Sequence, residues 1–203
     1  MKKKYILLLM LLLIIIISIC LIYRNNNNKE NADIKVKYPI YEYYKLNKVI
    51  TENINYYLKD NTDNYYFLYI DYKDYEYKEY ISIVLYISYF TGGAHPNYEI
   101  KTINYNKSSN KFIDIDDLIN RDKDILNKLS IYSREYFSNN DMFNDKVVFD
   151  MMIDGTKSIK DNYKYFNITS DGLIIYFNRY QIAPYYYGDY SITIPYNYLD
   201  LSI

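Results

Sequence analysis

Nineteen consecutive uncharged residues, Tyr5 to Tyr23, follow Met1-Lys2-Lys3-Lys4. No other stretch constrains the chain as much, because a Leu/Ile run of that length matches the ~20 residues a helix needs to cross the hydrocarbon core of a bilayer. Lys2, Lys3 and Lys4 precede the run, and Arg24 and an Asn tract follow it. By the positive-inside rule this predicts a cytoplasmic N-terminus, a single-pass anchor over residues 1–24 in the cell membrane, and an extracytoplasmic C-terminal domain. Cleavage as a secretory signal is the weaker reading, since no A-x-A site follows. Lipidation of Cys20 is weaker too, because the preceding Ile17-Ser18-Ile19 places a bulky Ile where Gly, Ala or Ser is needed. Residues 25–37 are polar and read as a flexible spacer.

What remains, residues 38–203, is long enough to bury one ordinary core. Cys20 is the one cysteine of the chain, so the body carries no disulfide and no thiolate metal site. The chain has 31 Tyr and no Trp, so much of its apolar surface ends in a phenol that needs a hydrogen-bond partner or water. Two sources of the Tyr excess stay open: the codon bias of an AT-rich genome, and a selected Tyr-lined binding face. Setting Lys2, Lys3, Lys4 and Arg24 aside from the 24 basic residues leaves 20 against 25 acidic ones. An acidic body does not suit nucleic acid and favours a cationic partner.

The periodicities predict a mixed body. Tyr38 to Tyr44 reads as a short strand with Pro39 near its start. Leu46, Val49, Ile50, Ile54, Tyr57 and Leu58 recur at helical spacing. Tyr65–Tyr75 and Glu79–Phe90 read as an antiparallel hairpin, followed by strands Tyr98–Tyr105 and Lys111–Ile113. Helices are predicted over Asp122–Ser138, with Ile125, Leu129, Tyr132 and Tyr136 on one stripe and Leu126 and Phe137 beside it, and near Asp141–Met151. Ser170-Asp171-Gly172 marks a hairpin between Tyr165–Thr169 and Leu173–Phe177, and Tyr190–Ile194 reads as the last strand. The expected fold class is α+β: an antiparallel sheet with two or three packed helices, preceded by one N-terminal transmembrane helix. Two lobes are expected, residues 38–88 and 89–203.

Several pieces together resemble a known family. They are the Tyr38-Pro39 strand with its helix, the Tyr89-Phe90-Thr91-Gly92-Gly93-Ala94-His95 break, and the stretch ending in Asp116-Asp117-Leu118-Ile119. The end is the most specific: Thr169-Ser170-Asp171-Gly172-Leu173, Gln181-Ile182-Ala183-Pro184-Tyr185, Gly188 and Thr193-Ile194-Pro195-Tyr196. The body is similar to the extracytoplasmic domain family found in the anti-sigma factor RsiV and in the non-catalytic N-terminal part of the deacetylase PdaC. That resemblance implies an α+β module whose partners are a lysozyme-like protein or peptidoglycan. It does not transfer anti-sigma activity, since only Met1–Lys4 precede the apolar run, nor deacetylation, whose separate domain has no counterpart here.

Candidate site residues lie in two loops. His95 is the only histidine, too few for a deacetylase-type metal centre and without a nucleophile elbow for a triad. Gly92 and Gly93 either present backbone to a ligand or simply supply a tight turn. Pro184-Tyr185-Tyr186-Tyr187-Gly188 puts three Tyr in one loop, where Tyr185 and Tyr187 are expected to be the exposed pair; rigid, amphipathic Tyr is favoured at interfaces. The ligand-binding candidates are therefore Gly92, Gly93, His95, Pro184, Tyr185 and Tyr187, with no catalytic or metal-binding residue and no cofactor. Asp114, Asp116 and Asp117 begin like a calcium loop but lack its Gly and its final Glu, so Asp116 or Asp117 is expected to cap a helical turn. The overall expectation is a membrane-tethered binding module. The alternatives are an assembly protein for a neighbouring membrane protein and a peptidoglycan-modifying enzyme.

Overall fold

The computed structural model describes residues 15–18, 32–59 and 64–201. Most of the expected anchor and spacer lies outside these residues. Among the described residues no helix is long and apolar enough to cross a membrane.

A five-stranded sheet comes first, in the order β1 (Asp33–Val36), β2 (Phe67–Tyr77), β3 (Tyr80–Phe90), β4 (Asn97–Asn106), β5 (Lys111–Phe112). Neighbours pair antiparallel except β1, which runs parallel to β2. Two expectations change at this edge. The strand falls at Asp33–Val36, inside the stretch read as spacer, and Tyr38–Tyr44 is not a strand. The reason is local: the Asn47 side chain accepts from the Tyr41 N–H at 2.9 Å and donates to its carbonyl at 2.6 Å, so both Tyr41 backbone groups are spent away from a ladder. Helix α1 (Tyr44–Leu58) follows as the period predicts, burying Leu46, Ile50, Ile54 and Tyr57 on one stripe. That stripe packs on Leu68, Ile70, Ile81, Ile83, Leu85 and Ile87 of the sheet.

The alternation in β3 reads as a half-buried strand, yet Tyr80, Ser82 and Val84 on its other face are buried too. A second, three-stranded antiparallel sheet covers them: β6 (Phe166–Ile168), β7 (Leu173–Phe177) and β8 (Tyr190–Ile194). The junction between the sheets is polar. Asn167, fully buried, donates to the Ile83 carbonyl at 3.1 Å and to Asn104 Oδ1 at 3.3 Å, and accepts from the Tyr176 hydroxyl at 3.0 Å. Asn104 donates to the Phe166 carbonyl at 2.9 Å, and Ser82 Oγ accepts from the Ile168 N–H at 3.1 Å. The bonds from Asn104 and to Ser82 satisfy groups of the edge strand β6 that no ladder reaches, as burial requires.

Helices close the far side of the small sheet: α2 (Ile115–Arg121), α3 (Ile125–Ser138), α4 (Lys146–Gly155), the short α5 (Lys160–Tyr163) and α6 (Tyr196–Leu199). The layers thus run helix, sheet, sheet, helices, with one core under α1 and a larger one beneath α3 and α4. The lobe boundary expected at 88/89 falls inside β3, because β3 and β4 share ten paired positions from Tyr80 to Tyr89 and cannot belong to different bodies. Helix α3 begins later than expected and buries a rotated stripe, Ile125, Leu129, Ser130, Ser133 and Phe137, while Tyr136 is 54% exposed. Ser130 donates to the Thr156 carbonyl at 2.5 Å, so the small residues of α3 face the end of α4 and the larger Tyr turns outward. The helix expected near Asp141–Met151 is split into a 3-10 turn, Asp141–Asn144, and α4, because Asp145 caps the latter by accepting from Val147 and Val148 N–H.

Asp114, not Asp116 or Asp117, is the cap of α2. Its side chain accepts from the N–H groups of Asp116 and Asp117 at 2.8 and 3.2 Å, while Asp117 reaches back to the Asp114 N–H at 2.9 Å. Replacing it, Asp114→Ala, is expected to lower stability by about 1 kcal/mol, measured by urea unfolding, with Asp114→Asn largely retaining it.

Candidate functional site

The loop of residues 91–96 between β3 and β4 meets the loop of residues 178–189 between β7 and β8. The second loop is held from several sides. Asn178 Oδ1 accepts from the Ile100 N–H at 3.1 Å, and the Gln181 amide donates to the carbonyls of Gly155 and Asn162, each at 3.0 Å. Ile182 and Ala183 are buried beneath it, and Asp189 Oδ1 accepts from the Arg179 N–H at 3.1 Å. Within these ties Tyr180 sits at φ 65°, a left-handed conformation that costs a non-glycine residue about 1 kcal/mol or more. Tyr180 is left 56% exposed.

His95 stacks on Tyr185 with ring centroids 3.8 Å apart. Its Nδ1 lies 2.9 Å from the Pro96 carbonyl and its Nε2 3.3 Å from the Tyr180 hydroxyl. A proton on Nδ1 satisfies both contacts, with Nε2 accepting from Tyr180. The Tyr185 hydroxyl donates to the same Pro96 carbonyl at 2.7 Å, locking the two loops together. Beneath them the Arg179 guanidinium lies over Tyr98 and Tyr185, 3.6 and 4.5 Å from the ring centroids. Cation–π contact of this kind holds an Arg flat and in place.

The surface continues along the part of the five-stranded sheet left bare by the small sheet. Gly92 and Gly93 sit at φ 99° and 118°, as the tight-turn reading requires. A Cβ at Gly92 would lie 3.6 Å from the Tyr66 ring, which in turn packs on Phe90 at 5.4 Å. Phe67 packs on Phe90 and stacks on Tyr69. The register puts Phe67, Tyr69, Phe90 and Tyr98 on one face of the sheet. The result is a band of rings with hydroxyl rims running from Tyr69 to Tyr180.

Of the residues expected here, Gly92, Gly93, His95, Pro184 and Tyr185 come together, with Pro184 starting the 3-10 turn Tyr185–Tyr187. Tyr187 does not join them. It packs against the main core, and Tyr186, 75% exposed, is the outward ring of the triplet. The 3-10 turn is the cause, since it fans consecutive side chains in different directions. The Tyr186 phenol is held above its usual range by its hydrogen bond to Tyr187. Tyr98, Arg179 and Tyr180 were not among the expected residues. One signal could have found Arg179: the chain has four Arg against twenty Lys, so an Arg marks a place where a planar, forked cation is needed.

A second polar cluster lies on the opposite face, under α1. Glu99 accepts from Tyr57 and Tyr89 hydroxyls at 2.6 and 2.9 Å. Burial, then the bond to Glu99, pushes both phenols up, Tyr89 to about 12, so both stay protonated donors. A shallow cleft of ≈ 280 Å³ beside them is lined by Glu52, Asn53, Tyr56, Tyr57 and Lys101. Among the described residues no group of three or more His, Cys, Asp or Glu could hold a metal ion.

The chain is 37% identical over 127 residues to the peptidoglycan-N-acetylmuramic acid deacetylase PdaC of Bacillus subtilis (strain 168), covering 62% of this chain and 27% of PdaC. The chain thus spans about a quarter of the length of that curated relative. Two crystal structures of DUF3298 family proteins share the fold. The one from Pseudomonas aeruginosa PAO1 has a TM-score of 0.56 at 19% identity, over 74% of this chain and 67% of that one. The one from Bacteroides fragilis NCTC 9343 has a TM-score of 0.51 at 20% identity, over 77% and 61%. Residues 116–197, which include Arg179, Tyr180 and Tyr185, match the family model described as Protein of unknown function (DUF3298).

Proposed function

We propose that this chain is an extracytoplasmic binding module, tethered by its N-terminal apolar run, that recognises the cell-wall glycan through the ring band around His95 and Tyr185. The observation that carries it is the pinned stack in which exposed His95 and Tyr180 lie against half-buried Tyr185 over Arg179. Exposed aromatic faces take the C–H face of a pyranose, while phenol and amide rims bond its hydroxyls; rigid rings give that contact area at low entropy cost. The similarity to part of a peptidoglycan deacetylase supports a wall component as the ligand. The part matched is a quarter of that enzyme, and pinned rings offer contact area, so binding is the reading favoured here.

A wall hydrolase of the lysozyme type is the second reading. The acidic excess of the body, 20 basic against 25 acidic residues outside the N-terminal cations, favours a cationic protein partner, and the resemblance to the RsiV ectodomain points the same way.

Co-sedimentation of the purified chain, in detergent micelles, with insoluble peptidoglycan tests the first reading. The chain is expected to pellet with it, and Tyr185→Ala to reduce retention about tenfold or more, a hot-spot loss, with an unchanged circular dichroism spectrum. Retention by Tyr185→Ala at the wild-type level would remove this surface as the site. Binding to lysozyme with none to peptidoglycan would establish the second reading instead.

A further inference from the structure

Among the described arginines, Arg121 donates to the Tyr80 hydroxyl, and Arg134 donates to Thr156 Oγ1 and the Ile153 carbonyl. Both are structural. Arg179 differs: its guanidinium makes no hydrogen bond among the described residues, and its Nε is buried without a partner. Asp189 Oδ2 approaches Nε only to 3.7 Å, beyond hydrogen-bond range, and the other oxygen of that carboxylate is committed to the Arg179 backbone N–H. A buried, unspent charged donor is costly and calls for a cause. Here the cost coincides with the left-handed Tyr180 next to it and with two rings that clamp the guanidinium plane. The side chain as a whole is 21% exposed although Nε is not, so the part open to solvent lies elsewhere on the side chain, and no hydrogen bond among the described residues occupies its Nη groups.

We infer that Arg179 is the polar anchor of this surface and takes a carboxylate of the ligand in a two-pronged hydrogen bond across its Nη edge. This rests on the ring band being a wall-glycan site. Guanidinium presents parallel N–H groups that match a carboxylate, and charge-assisted bonds of that geometry are about twice as strong as neutral ones. Tyr98 and Tyr185 supply the preorganisation, since the fork is already fixed before the ligand arrives. Asp189 sits on the Nε side, offsets part of the charge, and so admits one planar anion rather than a cluster of them. In wall material such carboxylates include the lactyl group of N-acetylmuramic acid without its peptide and the C-terminus of a stem peptide.

The test is an NMR titration of the ¹⁵N-labelled full chain, following the Arg179 Nε–H signal. Four probes are used: N-acetylmuramic acid and its methyl ester, and diacetyl-lysyl-D-alanyl-D-alanine and its C-terminal amide. One acid is expected to bind about 10- to 100-fold tighter than its uncharged partner and to shift the Nε–H signal; which pair does so identifies the source. Arg179→Lys keeps the charge but not the fork, and is expected to lose most of that ratio while still binding the ester or amide. Equal affinity for acid and uncharged partner in both pairs would overturn the role of Arg179 and leave the ring band standing. No binding of any probe would overturn both. An unchanged acid preference in Arg179→Lys would assign the carboxylate to another cation.

Discussion

Gly155→Ala is expected to destabilise the protein by about 3 kcal/mol or more and to abolish ligand binding together with it. A Cβ at Gly155 would stand 1.9 Å from the Gln181 carbonyl oxygen and 2.6 Å from its carbon. Both are backbone atoms, so no rotamer change relieves the clash; either the end of α4 or the loop carrying Tyr180 and Tyr185 has to move. The loop is the softer element, but moving it breaks the bonds from the Gln181 amide to the Gly155 and Asn162 carbonyls. Thermal unfolding is expected to show a midpoint lower by roughly 10 °C, from about 2–4 °C per kcal/mol for a domain of this size. Gly93→Ala is the control: its Cβ would meet nothing within 4 Å, so only the φ of 118° is penalised, and a loss of about 1 kcal/mol is expected. A Gly155→Ala protein as stable as the wild type would mean that α4 and the loop do not pack as described.

The second large effect is expected at the junction of the two sheets, where Asn167→Ala should cost about 2–4 kcal/mol. Removing this amide leaves the Ile83 carbonyl, Asn104 Oδ1 and the Tyr176 hydroxyl short of a partner in a place water does not reach. Burial, then its phenol neighbours Tyr75 and Tyr86, already pushes the Tyr176 hydroxyl far above its usual range, so it cannot escape by ionising. Tyr176→Phe removes one donor and leaves the asparagines paired, so a loss of about 1 kcal/mol is expected. In the double variant the two losses should fall short of their sum, because the residues share a bond. Additive losses in urea unfolding would show that the Asn167–Tyr176 contact contributes nothing.

The elements legible in the sequence are those whose signal is local. Leu46, Ile50, Ile54 and Tyr57 declare α1 by their spacing, and Ser170-Asp171-Gly172 declares the β6–β7 turn. What stayed hidden depends on partners far along the chain. Asp33–Val36 reads as polar spacer because a four-residue edge strand has no period of its own; its ladder comes from β2. Tyr80, Ser82 and Val84 look like the wet face of a strand until Asn167 and Phe166 arrive from more than eighty residues away. The site divides the same way. His95 and the Tyr triplet are conspicuous where they stand, whereas Arg179 over Tyr98 follows only from the register of β4 and the tie between Asn178 and Ile100. Tyr187 packs on the core where an exposed ring is expected, because a loop of three tyrosines does not reveal which one its turn will point inward.

The most direct test is where a ligand lands. Chemical-shift mapping of the ¹⁵N-labelled chain with a soluble digest of peptidoglycan is expected to perturb residues 92–98 and 178–188 together, with Tyr66, Phe67 and Phe90 at the margin. Perturbations gathered instead around Glu52, Tyr56 and Lys101, or none from a protein shown to be folded, would contradict the ring band as the binding surface.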